Sequence, residues 1–65
     1  MENNPVEMET VYVVGRTIGG QVLYLVGENP LWGDRADALM WRVKGRAGIA
    51  AWRHSGFVAE TRVPA

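Results

Sequence analysis

The chain has no cysteine, and that absence excludes a disulfide staple and any thiolate metal site. It has one histidine, His54, so no histidine cluster can hold a zinc ion. Long apolar runs are missing as well: the longest, Val22 to Val26, falls far short of the roughly 20 residues a bilayer span requires. The acidic, proline-containing start, Met1 to Met8, lacks a signal-peptide layout. A cytoplasmic protein is the expectation.

Only 65 residues are present, enough for one domain that buries about 60% of the surface its unfolded form exposes. Stability must therefore come from packed aromatics or from self-association. At 48% hydrophobic and 22% charged, the composition is that of a folding domain and not of a disordered tail.

The formal charge is zero but unevenly placed. Up to Asp34 there is one cation, Arg16, against five anions; from Arg35 onward there are six cations against two anions. All three tryptophans lie within or beside the basic half. Such polarity bears on how the molecule meets partners and says nothing about its fold.

Residues 1–7 carry Asn3, Asn4 and Pro5 without periodicity and read as a loose lead-in to one domain over 8–65. Met8 to Val14 alternates and is rich in β-branched and aromatic residues, which predicts a strand. The Gly19-Gly20 pair supplies a hairpin turn, and Gln21 to Val26 forms the second strand, closed by Gly27. Gly27 to Pro30 is a turn cluster, and Leu31 to Asp34 a loop with Leu31 and Trp32 tucked against the sheet. Two readings of Asp34 to Val43 stay open. Asp34 can cap a helix bearing Ala36, Leu39, Met40 and Val43, or Ala38 to Val43 can be a short third strand, which is preferred. Lys44 to His54 predicts a helix stopping at Ser55-Gly56, with Gly45 before its start and Gly48 in its first turn. Phe57 to Val63 alternates as a final strand. The fold class is α+β: a small, mostly antiparallel sheet of three to four strands with one helix packed across it.

On the helix, Ala47, Ala50, Ala51 and His54 share one face, with Val43 just before it, while Ile49 and Trp52 project from the other side between Arg46 and Arg53. If the alanines face the sheet, Ile49 and Trp52 stand exposed among arginines, a composition enriched at binding hot spots. The competing reading makes Trp52 and Ile49 core and leaves the alanines outside.

Enzyme chemistry finds little footing. His54 at a helix end meets the last carbonyls, and Ser55 beside it lacks an oxyanion arrangement. Glu7 with Glu9 and Asp34 with Asp37 read as a solvated edge and a capping turn. The Gly15 to Gly20 stretch precedes a strand, where phosphate loops and dinucleotide motifs require a helix, so no cofactor is implied.

Gly45-Arg46-Ala47-Gly48 resembles the loop with which KH domains clamp a nucleic-acid backbone, and Ile49 follows where that family places an aliphatic residue further on. With Trp41 and Trp52, the cations Arg42, Lys44, Arg46 and Arg53 would form a surface able to hold a single strand by phosphate contact and stacking. A nucleic-acid-binding module over 41–53 is the alternative function.

The chain from Tyr12 to Val63 also resembles short accessory proteins encoded by bacteriophages and prophages. The matching residues are Tyr12, Val13 and Val14; Leu23, Tyr24 and Leu25; Trp32, Asp34 and Ala38; and Ala47, Ala50, Ala51, Gly56 and Val58. Met40-Trp41-Arg42 and the glycines at 45 and 48 depart from that pattern. The resemblance implies a non-enzymatic binder of a host or phage protein, including inhibitors of bacterial defence such as anti-CRISPR proteins. The expected contact residues are Trp52, Ile49, Arg46 and Arg53, with Trp41 and Arg42 alongside; self-association through this patch or by edge-strand pairing is the related expectation.

Overall fold

A computed structural model describes residues 7–65. The lead-in expected over residues 1–7 lies, except for Glu7, outside the described residues. Met8–Ile18 (β1) and Gln21–Gly27 (β2) form a hairpin whose turn consists of Gly19 and Gly20, at φ 58° and 82°. Positive φ at both central positions is the type I′ geometry that matches strand twist, and it suits the glycine pair. β1 therefore runs four residues beyond the expected end at Val14, to Ile18.

Leu31–Gly33 (β3) pairs with β2, and Phe57–Pro64 (β4) pairs with β1 along its length. The strand order is β3-β2-β1-β4, antiparallel throughout. The α+β architecture, one four-stranded sheet carrying one helix, follows the sequence pattern.

The third strand is not where the sequence placed it. Ala38 to Met40 belong to no regular element, and Trp41 makes only an isolated antiparallel bridge to Tyr12. The strand is instead Leu31–Gly33, where a loop was expected. A helix over 34–43 does not form either; it is reduced to one 3₁₀ turn, Arg35–Asp37, and Asp34 makes no side-chain cap bond. The reason lies in the sheet. β2 pairs with β1 only from Gly15 to Ile18, and the opening beyond is filled by the incoming chain. Leu39 N–H donates to Leu25 C=O at 2.9 Å, while Tyr12 and Trp41 exchange N–H to C=O bonds of 2.7 and 2.9 Å. Those tertiary partners hold 38–41 extended against its helical spacing.

Lys44–Arg53 (α1) lies across β1 and β4. It starts at Lys44, so Gly45 is inside the helix and not ahead of it. Its C-terminus closes with Ser55 at φ 56°, Gly56 N–H bonded to Ala51 C=O at 2.7 Å and Ser55 N–H to Trp52 C=O at 3.4 Å, a Schellman arrangement. Gly56 is needed for close approach: a Cβ there would lie 2.6 Å from the Gly15 carbonyl oxygen.

The core under the helix is Val14, Leu25, Ala50 and Ala51, joined by the half-buried Trp32, Leu39, Trp41 and Val58. Trp32 packs as expected, with the Arg16 guanidinium 5.9 Å from its ring centroid, whereas Leu31 is 60% exposed. On the opposite sheet face Val11 and Val13 are buried. There the 3₁₀ turn reaches across, and Arg35 Nη2 donates to Thr61 Oγ1.

Candidate functional site

Which side of α1 meets the sheet follows from side-chain size. Alanine allows the helix axis to sit close above Val14 and Val58, where bulkier residues would hold it off. Ala47, Ala50 and Ala51 are accordingly the buried residues of the helix. The competing arrangement, tryptophan inward and alanines wet, is excluded by this geometry.

The consequence appears on the outer side. Trp52 is 85% exposed and Ile49 58%, making the indole the most exposed large apolar side chain among the described residues. Arg46 and Arg53 are exposed beside them and, at helical spacing, stand on the flank of Ile49. Lys44 is exposed in the first turn, and α1 contains no acidic residue. Neither Arg46 nor Arg53 engages a carboxylate among the described residues, where the one salt bridge joins Arg42 to Glu9. An apolar centre thus carries cations whose charge is not neutralised within the helix.

The remaining expected contact residues are placed differently. Trp41 is half-buried and packs on the core cluster, so its ring is occupied by the fold. Arg42 Nη2 lies 3.2 Å from Glu9 Oε1, with the arginine side chain 80% exposed. Of the six, Arg46, Ile49, Trp52 and Arg53 belong to the outer helix side, and Trp41 and Arg42 to the junction where the chain enters it. Val43, expected to accompany the alanines, is 57% exposed at φ −106°, just ahead of the helix. Sequence reasoning missed it because helical periodicity was carried one residue past the true start.

The KH-like quartet Gly45-Arg46-Ala47-Gly48 lies within α1 and is no loop, and no α-helix precedes it among the described residues. Ala47 is fully buried, which removes the open backbone such a clamp needs. His54 caps α1, its N–H bonded to Ala50 C=O at 3.1 Å. Two shallow clefts flank the 38–41 segment. The first, about 380 Å³, is lined by Val13, Ala36, Met40, Val63 and the Arg35–Thr61 pair. Its walls offer a hydroxyl and guanidinium groups but no carboxylate or imidazole to move a proton. No helix among the described residues is long and apolar enough to cross a membrane.

No protein-family model matches the chain, and comparison with curated proteins and with solved structures gave no significant match.

Proposed function

We propose that this protein is a non-enzymatic binder that docks on a protein partner through the outer side of α1. The observation that carries this reading is the 85% exposure of Trp52 on a helix seated by its alanines. Folding leaves that indole in water, and burying it beside Ile49 would release about 1.5–3 kcal/mol per side chain. Arg46, Arg53 and Lys44 set the chemistry of the partner: an apolar recess rimmed by carboxylates, which orients the cations and speeds encounter. The resemblance to phage accessory proteins directs the search to host and phage factors, defence complexes such as CRISPR effectors among them.

The experiment is an affinity capture from bacterial lysate with the native chain, Trp52→Ala and Arg53→Glu, each checked for native circular dichroism. A partner held by the native chain and lost from both folded variants supports the proposal. Equal capture by all three overturns it. Titration of a labelled oligonucleotide at two salt concentrations separates the nucleic-acid reading, since phosphate contacts lose affinity as a steep power of salt. Tight, salt-steep oligonucleotide binding would replace the protein partner with a nucleic acid.

A further inference from the structure

β4 is an outer strand of the sheet, and among the described residues no strand pairs with its far side. The backbone fixes which groups are free. Tyr12 gives both its N–H and its C=O to Trp41, so its pairing with Glu60 across β1 and β4 is a non-hydrogen-bonded one. Ala65 N–H donates to Glu7 C=O, which sets the same alternation from the other end. The odd residues of β4 therefore bond to β1, while Val58, Glu60 and Arg62 turn their N–H and C=O groups outward to the open edge. Pro64, which has no N–H, also falls at an outward position, where a missing donor costs the sheet nothing.

Backbone alternation restricts a symmetric antiparallel pairing to two-fold axes that pass through a residue of β4 and not between residues, so that outward groups meet outward groups, and charge selects among them. An axis at Thr61 sets Glu60 opposite Arg62 of the second copy, and Arg62 opposite its Glu60. Each of these pairs exchanges both backbone bonds, and Val58 N–H reaches the other Pro64 C=O. An axis at Glu60 or at Arg62 would set like charges directly opposite, Glu60 on Glu60 or Arg62 on Arg62, and one at Ala59 would place Val58 opposite Glu60 of the second copy. Glu60 and Arg62 are both exposed, and β4 runs its eight residues without an irregularity in its pairing with β1. Bulges, proline and charge are the usual defences of an open edge. β4 has no bulge, its proline lies at its end, and its two outward charges, Glu60 and Arg62, are of opposite sign and match each other across the two-fold axis.

We infer that two copies of this chain join along β4, extending the sheet across a two-fold axis at Thr61 with paired Glu60–Arg62 contacts. The axis stands perpendicular to the sheet, so both helices lie on the same face. The inference is independent of the binding role of Trp52.

The test uses charge reversal and mixing. Sedimentation equilibrium from micromolar to millimolar chain should show a reversible dimer for the native protein. Glu60→Arg places arginine opposite arginine in the homodimer, and Arg62→Glu places carboxylate opposite carboxylate. Each should weaken self-association at least about tenfold, since two symmetric cross-strand contacts change from attractive to repulsive. Mixing the two variants should restore a heterodimer, and the double variant E60R/R62E should dimerise as the native chain does. A native protein that stays monomeric overturns the inference. So does a dimer that ignores these reversals, or one abolished by Trp52→Ala and not by them.

Discussion

The ring of Phe57 occupies the space that a side chain on Gly15 would need: a Cβ there would come within 2.7 Å of the ring's Cζ. The two residues are directly opposed across β1 and β4. A glycine in a strand leaves a gap in the packed surface, and here an aromatic ring from the neighbouring strand closes it. Because Phe57 is 43% exposed, its ring has room to swing away.

Gly15→Ala is therefore expected to cost about 1–2 kcal/mol, mostly through the displaced ring, and to cost much less in a Phe57→Ala background. Gly56→Ala should be worse. Its methyl would meet the Gly15 carbonyl oxygen at 2.6 Å and Val14 Cγ1 at 2.8 Å, and a backbone atom cannot rotate away. A loss of about 3 kcal/mol or more approaches the whole stability of a chain this small, at about 0.05–0.15 kcal/mol per residue. Urea unfolding of the single and double variants measures the coupling.

Trp52→Ala should leave stability within about 0.5 kcal/mol of native, because an exposed side chain takes little packing with it. Ala47→Leu should instead destabilise by about 1–3 kcal/mol, since Ala47 is fully buried beneath the helix. Paired thermal melts check both. The reverse order, a collapsed tryptophan variant and an unaffected alanine variant, would contradict the seating of α1.

Ser55 sits at φ 56°, a conformation that costs an L-residue about 1–2 kcal/mol. Ser55→Gly should stabilise by about 0.5–1 kcal/mol once the greater freedom of glycine in the unfolded chain is subtracted. The expected signature is a higher urea midpoint with an unchanged slope.

What could be read in advance divides along a physical line. The hairpin, the last strand and the helix announce themselves through local signals: paired glycines, alternation, and alanines at helical spacing. The orientation of α1 was not decided there: side-chain size favours alanine as the face that approaches a sheet, the frequent burial of tryptophan argues for the opposite seating, and the fold itself resolves the two. The segment 34–43 was not legible. Its conformation is set by Leu25 of β2 and Tyr12 of β1, whose peptide groups lie beyond the end of the β1–β2 pairing, and no window of local sequence contains that vacancy. Leu31–Gly33 was hidden for a related reason, as three residues are too few to show a period. At the site, Trp41 and Arg42 were grouped with Trp52 by proximity along the chain. In space Trp41 fills the opening in the sheet, and Arg42 turns to Glu9.

Seating a helix on alanine has an evolutionary consequence. The groups that hold α1 down and the groups it shows to its surroundings are separate sets, so replacements at 46, 49, 52 and 53 leave the anchorage untouched. The same small chassis can change the surface it presents by rewriting a few outward letters, without renegotiating how it folds.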